Sequence, residues 1–216
     1  MLDGEYNRFS RAAGLRRMDE RIEVVGYRAG RKARVAESRT EKPITEITEK
    51  RIQSVKFVQC PGMSESMCQE LQKLHKELLR ESKEKNGQNE VAYIFSNDLQ
   101  RKLTVYGSGS EIEFPHASFG KGQFLLHNHP RNHSFSMTDI ATFISNDNLS
   151  VMTVVKHNGG VELLTKSKKY DKVQVANDLN RKIKKIKQKT DENLDKMLVK
   201  FLTDASEKDM IVWVKK

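Results

Sequence analysis

Cysteine is scarce in this sequence: Cys60 and Cys68 are the only two among 216 residues. They form neither a disulfide framework nor a CxxC zinc motif, so we expect a reduced, cytoplasmic compartment. Long apolar runs are also missing, since no stretch approaches the ~18 consecutive apolar residues of a membrane-spanning helix. The N-terminus lacks the apolar segment that a secretory signal needs, so we expect no cleaved signal peptide and no membrane partner.

Apolar residues are few for a chain of this length. Hydrophobic residues make up 37% of the sequence and charged residues 31%. This composition supports one modest core, but the apolar share lies below that of a typical compact globular chain. We therefore expect part of the chain to lie outside the core.

Positive charge is concentrated in the two flanks. The net charge of +10 divides into +4 for residues 1–52, −1 for residues 53–165 and +7 for residues 166–216. A strongly basic chain suggests a nucleic-acid partner, but here that suggestion applies to the flanks alone. The sequence thus predicts a basic N-terminal extension or linker over 1–52, a central domain over 53–165 and a basic C-terminal helical region over 166–216.

Hydrophobic periodicity predicts an α+β (mixed α/β) fold, with a central sheet flanked by helices. The strongest local signals are the N-cap Ser64, the Asn86-Gly87 helix end and the Asn158-Gly159 hairpin turn. The predicted elements are a strand over 52–58, a helix over 64–86, strands over 91–95, 103–106 and 123–129, a helix over 136–145, a hairpin with strands over 151–155 and 161–164, and a helical zone over 170–204.

The segment 127–130 reads His-Asn-His-Pro and carries the clearest chemical signal. On a strand, His127 and His129 project from the same face, so their imidazoles can converge on one metal ion. The proline that follows cannot donate to the ladder, so the chain leaves the sheet there. The next helix begins near Ser136 and places Asp139 one turn inside it. Two histidines and an aspartate suit Zn²⁺ and leave a fourth position for water, as in catalytic zinc sites.

This pattern, H-x-H-P followed by a short loop and S-x-x-D, resembles the JAMM motif of the MPN/JAB-domain metalloproteases. That family includes zinc-dependent deubiquitinating isopeptidases and bacterial and phage JAB-like proteins. The resemblance covers roughly residues 60–165 and implies a JAB/MPN-like sheet for the central domain. It also implies an upstream glutamate where the first long helix passes into a core strand, and Glu90 occupies that place.

The resemblance implies a role for each residue of the motif. His127, His129 and Asp139 bind zinc, Glu90 is the general base, and Ser136 helps to stabilise the oxyanion. The implied activity is hydrolysis of a peptide or isopeptide bond in a protein or peptide substrate by metal-activated water, with Zn²⁺ as the cofactor.

A second interpretation stays open beside this one. The loop between His129 and Ser136 is one residue shorter than the family pattern usually has, and His133 within it is an alternative ligand or a group behind the ligands. Ser-x-x-Asp is also the signature of a helix capping box. The alternative function is a non-catalytic JAB-like assembly or nucleic-acid-binding module, whose basic flanks contact nucleic acid or another acidic partner.

The remaining histidines carry no comparable signal. We expect His75 and His116 to be structural or surface residues. His157 precedes the Asn158-Gly159 turn, so we expect it at the surface.

Overall fold

The computed structural model describes residues 43–108, 112, 121–186 and 191–216. Most of the predicted N-terminal extension and His116 lie outside these residues. The described helices are α1 (Glu49–Gln53), α2 (Glu65–Lys85), α3 (Met137–Ser145), α4 (Lys172–Lys185) and α5 (Asp191–Glu207). The described strands are β1 (Val91–Phe95), β2 (Arg101–Tyr106), β3 (Gln123–His129), β4 (Leu149–Lys156), β5 (Val161–Lys166) and β6 (Ile211–Lys215). Within the ranges just given, no helix is long and apolar enough to cross a membrane.

The six strands form one mixed sheet in the order β2-β1-β3-β4-β5-β6. Strands β3 and β4 run parallel, and the other four neighbouring pairs are antiparallel. A parallel pair needs a crossover, and α3 supplies it here. Because the chain enters α3 directly after leaving β3, the start of this helix lies beside the carboxyl end of that strand.

Helices cover both faces of the sheet. The front face, as we name the side with α3, α4 and α5, packs residues such as Leu125, Phe143 and Phe201 into one buried cluster. The reverse face packs against α2 through a second cluster that includes Leu71 and Tyr93. The mixed α/β character predicted from the sequence is therefore confirmed as a sheet between two helical layers.

Several predicted boundaries agree closely with the structure. Strands β1 and β3 have the predicted limits, and α2 begins after Ser64, whose side chain accepts a hydrogen bond from Met67 N at 3.3 Å. The predicted hairpin is formed by β4 and β5 around the Asn158-Gly159 turn. These elements are fixed by local signals, which explains why the sequence alone predicts them.

The strand predicted over 52–58 is wrong. Residues Glu49–Gln53 form α1, which is capped by the Thr48 side chain, and the chain then continues without strand pairing. Ile52, Val55 and Val58 are all buried against the reverse face. The spacing of these apolar residues therefore reflects burial of a segment that is not a strand. The core also begins before residue 53, the predicted start of the central domain.

The C-terminal region contributes to the same sheet and core. It contains the expected helices α4 and α5, but it also contains β6, which was not predicted. Strand β6 pairs with β5, placing Trp213 opposite Leu164. Phe201 and Ile211 are buried in the front-face cluster. The sheet thus extends beyond the predicted domain boundary at residue 165.

The turn between β4 and β5 lies tightly against the segment around α1. Lys56 N donates to the Gly159 carbonyl at 3.0 Å, and Gly159 has a φ of +90°. A Cβ atom at position 159 would lie 2.6 Å from Ser54 Oγ and 3.1 Å from Arg51 O. Only glycine therefore fits both the backbone conformation and the available space.

We expect Gly159→Ala to lower the free energy of unfolding by about 3 kcal/mol, since steric conflict adds to the cost of left-handed backbone. Gly62→Ala is the matched control, because Gly62 has a φ of +82° but nothing within 4 Å of an added Cβ. Its loss should be about 1 kcal/mol, from the backbone alone. Urea unfolding followed by circular dichroism measures both losses, and equal values would contradict the tight contact.

Candidate metal centre

His127 and His129 lie at the carboxyl end of β3 on the front face. Strand residues alternate between faces, so both histidines share the side of Leu125. Strands β1 and β4 flank them, with Ala92 and Val154 as the register partners of His127. Both imidazoles are buried, and their Nε2 atoms are 3.1 Å apart. The predicted convergence of the two rings is present.

Asp139 approaches the two imidazoles from the first turn of α3. Its carboxylate oxygens lie 3.3 Å from His127 Nε2 and 3.4 Å from His129 Nε2. Ser136 directs this carboxylate, because its backbone N–H and its hydroxyl both donate to Asp139 Oδ2 at 2.7 Å. Ser136 Oγ also accepts from Asp139 N at 3.2 Å, which completes a capping box. The capping contacts thus hold Asp139 toward the histidines, so the capping and ligand interpretations are compatible.

The hydroxyl of Ser136 is already engaged in these contacts. A hydroxyl has one proton, and Ser136 donates it to Asp139 Oδ2. The structure thus shows Ser136 as the residue that orients Asp139, and its role at an oxyanion stays a prediction.

Glu90 completes the group from the segment that precedes β1. Its side chain is buried, and its Oε1 lies 4.0 Å from His129 Nε2. Glu90, His127 and His129 each offer one donor atom within 4.8 Å of the others, a group that could hold a metal ion. The structure therefore brings together all five residues of the predicted site from three separate segments of the chain.

The donor atoms suit a tetrahedral zinc ion. With zinc–ligand distances of about 2.0–2.1 Å, neighbouring ligand atoms of a tetrahedron lie about 3.3–3.4 Å apart. The two Nε2 atoms lie 3.1 Å apart, and each has a different oxygen of Asp139 beside it: Oδ1 is 3.3 Å from His127 Nε2, and Oδ2 is 3.4 Å from His129 Nε2. Imidazole nitrogen and carboxylate oxygen are also donor types that zinc favours. The donor types therefore fit the ion that the sequence predicts, and the separation of the two Nε2 atoms is close to that of two ligands of one ion.

A backbone contact fixes the orientation of His129. Its Nδ1–H donates to the carbonyl oxygen of His133 at 3.1 Å, so Nε2 points toward the site. Burial alone would lower the pKa of His129, but hydrogen bonding and charge from Asp139 raise it to about 9. Burial would raise the pKa of Asp139, but the charge of His127 and hydrogen bonds from both imidazoles hold it well below its usual range. The site therefore attracts positive charge.

Two other histidines lie on the reverse face. His75 is buried, with Nε2 2.7 Å from Thr153 Oγ1, so its expected structural role is confirmed. The surface position expected for His157 is wrong, because this residue is buried and its Nδ1–H donates to Thr45 O at 2.7 Å. The segment before α1 covers the β4–β5 turn, a long-range contact that no local sequence signal reveals.

Both reverse-face histidines should make the fold sensitive to acid. Burial lowers the pKa of His75 to about 3 and that of His157 to about 4. The unfolded chain binds protons near its ordinary histidine pKa of about 6.5, so stability is unaffected above that pH and falls between there and pH ~4. We expect each histidine to account for a loss of about 2 kcal/mol between pH 7 and pH 5.

Urea unfolding at pH 7 and pH 5 measures this loss for the wild type and for His75→Gln. The glutamine variant should lose about 2 kcal/mol less than the wild type over this interval. The same pH dependence in both proteins would contradict the buried, neutral state of His75.

Comparison of the chain with protein-family models, curated proteins and solved structures found no match.

Proposed function

We propose that this protein is a zinc-dependent hydrolase that cleaves a peptide or isopeptide bond with metal-activated water. The observation that carries the proposal is the convergence of His127, His129 and Asp139, with Nε2 atoms 3.1 Å apart and each beside one carboxylate oxygen at 3.3 or 3.4 Å, and with Glu90 buried beside them. The resemblance of the motif to that of JAMM metalloproteases supports the choice of reaction.

The residues of the site have two roles, as metal ligands and as the general base. His127 and His129 would hold the ion through Nε2, and Asp139 through its carboxylate. Bound zinc supplies a Lewis acid that lowers the pKa of water toward ~7 and polarises a carbonyl group. Glu90 accepts a proton from the attacking water and returns it to the amine nitrogen as the C–N bond breaks.

Distances favour this division over one in which Glu90 is a ligand. Asp139 has one carboxylate oxygen 3.3 Å from His127 Nε2 and the other 3.4 Å from His129 Nε2, whereas Glu90 Oε1 is 4.0 Å from His129 Nε2, although Glu90 also lies within 4.8 Å of both histidines. Ser136 holds Asp139 in this place through two hydrogen bonds. Asp139 is therefore assigned to the ligands and Glu90 to proton transfer.

The proposal is tested with the purified 216-residue chain. We expect about one zinc ion per chain by elemental analysis, and hydrolysis of at least one member of a panel of peptide and lysine-isopeptide substrates. A chelator should abolish the hydrolysis, and added zinc should restore it. A chain that binds no zinc would contradict the metal site, and a zinc-loaded chain that cleaves no member of the panel would contradict the enzymatic proposal.

Nucleic-acid binding is the second candidate, and the observation that favours it is the charge of +4 and +7 in the flanks. Lys182 pairs with Asp204 and Lys208 with Asp178, but both aspartates lie in the same flank, so +7 is the excess that remains after these pairs. The hydrolase comes first because named side chains converge at one place, whereas the excess charge alone identifies no binding site. Salt-sensitive DNA binding that persists in Glu90→Gln, with no hydrolysis by either protein, would favour the second candidate.

A further inference from the structure

We propose that Asn128 is a positioning residue for Glu90. Its side chain ties the segment before β1 to the strand that carries His127 and His129. The inference rests on the proposed function, because it concerns how the base of that reaction is placed.

The ladder between β1 and β3 ends before it reaches Glu90. Its last register pair is Ala92 with His127, so Val91 and Glu90 lie beyond it. Asn128 bridges this gap, because its Oδ1 accepts a hydrogen bond from Val91 N at 2.7 Å. A side-chain amide thus supplies the link between β3 and the residue next to Glu90.

The opposite edge of this segment is held by other groups. Gly107 N donates to Glu90 O at 2.8 Å, and Asn86 Nδ2 donates to the same oxygen at 2.8 Å. These bonds tie Glu90 toward β2 and the end of α2. On the side of the metal ligands, Asn128 accepts from Val91 N and donates to Asn89 O, so it joins β3 to the residues on both sides of Glu90.

The amide of Asn128 is held in one orientation. It is fully buried, and its Nδ2 donates to His157 Nε2 at 2.8 Å and to Asn89 O at 3.3 Å. His157 can accept this bond because its other nitrogen, Nδ1, donates to Thr45 O at 2.7 Å. With Nδ2 engaged in this way, Oδ1 is the atom that faces Val91.

Asn128 lies on the reverse face of the sheet, away from the metal ligands. Neighbouring strand residues face opposite sides, so Asn128 lies on the reverse face while His127 and His129 lie on the front face. It therefore influences the reaction through Glu90. A shift of about 1 Å in a catalytic group can cost a factor of about 100 in rate, so a bond one residue from Glu90 is expected to affect kcat.

Asn128→Leu tests the inference, because leucine keeps the approximate size and removes the acceptor for Val91 N. We expect kcat to fall by about 10- to 100-fold, with KM and zinc content unchanged. In the protein without substrate, we expect hydrogen exchange of the Val91 amide to become at least ~10-fold faster. Asn128→Ser, whose side chain is too short to reach Val91, replaces the leucine variant if that variant does not fold.

Thr153→Val is the matched control. It removes a buried hydrogen bond on the same face, to His75 Nε2 at 2.7 Å, without touching the segment of Glu90. We expect it to reduce stability while leaving kcat and Val91 exchange unchanged.

Hydrogen exchange separates this inference from the proposed function, since it needs no activity. Unchanged protection of Val91 in the Asn128 variant would overturn the inference even if the enzyme is active. A fall in kcat that follows an equal loss of zinc would also overturn it, because Asn128 would then support the ligands and not Glu90. If Val91 exchange becomes faster in the Asn128 variant but the wild type cleaves no substrate, the link between Asn128 and Val91 is supported. Only the proposed hydrolase activity is then contradicted.

Discussion

Glu90→Gln is expected to lower kcat by about 10²- to 10⁴-fold while zinc binding stays close to that of the wild type. Glutamine has nearly the size and shape of glutamate, but its amide cannot accept the proton of the attacking water. The oxygens of the Asp139 carboxylate lie 3.3 and 3.4 Å from the two histidine Nε2 atoms, so we expect the three proposed ligands to remain in place in this variant. Steady-state hydrolysis and zinc analysis of the same preparation measure the two effects.

Glu81→Gln is the matched control for this change. Glu81 is also a buried carboxylate, but it accepts hydrogen bonds from the Tyr93 and Tyr106 hydroxyls on the reverse face. Its replacement should alter stability and leave kcat unchanged. If Glu90→Gln lost zinc together with activity, Glu90 would be a ligand and the proposed division of roles would be wrong.

The local part of the site could be predicted from the sequence. The alternation of strand residues places His127 and His129 on one face, and the capping pattern places Ser136 and Asp139 at the start of α3. Each inference needs only a few neighbouring residues. The sequence also indicates Glu90, but only through the family resemblance. No local sequence signal predicts that β1 lies beside β3.

Long-range contacts account for what the sequence did not predict. Strand β6 is short, and its pairing with β5 is what stabilises it. The burial of His157 depends on Thr45, and the link from Asn128 to Val91 depends on the end of the β1–β3 ladder. Such contacts depend on strand order and register, which hydrophobic periodicity does not encode.

The Asn128 link also explains why the reverse face matters to a site on the front face. The proposed metal ligands come from β3 and α3, whereas Glu90 precedes β1. The proposed hydrolysis needs the base at a fixed distance from the ligands, although the two belong to different segments. We propose that Asn128 supplies this connection from the reverse face. The middle residue of the His-Asn-His segment would then do more than separate the two histidines.

Asp139→Asn is expected to remove most of the stabilisation that zinc gives to the wild type. A ligand that binds only the folded chain raises the free energy of unfolding by about 2.7 kcal/mol at 100 times its dissociation constant. An asparagine at this position lacks the negative charge that balances the ion, and it no longer offers Ser136 a carboxylate acceptor. At the same zinc concentration, we expect the increment of the variant to fall below about 0.5 kcal/mol.

The increment is the difference between urea unfolding with zinc and with a chelator, measured for each protein separately. The variant also loses stability because the contacts from Asp139 to His127 and His129 are changed. This loss is the same with and without zinc, so it cancels in the difference. Asp147→Asn is the matched control, because Asp147 is an exposed carboxylate that pairs with Lys172 beyond the end of α3. It should keep the full increment. A full increment in Asp139→Asn would remove Asp139 from the ligands and leave Glu90, His127 and His129 as the set that binds zinc.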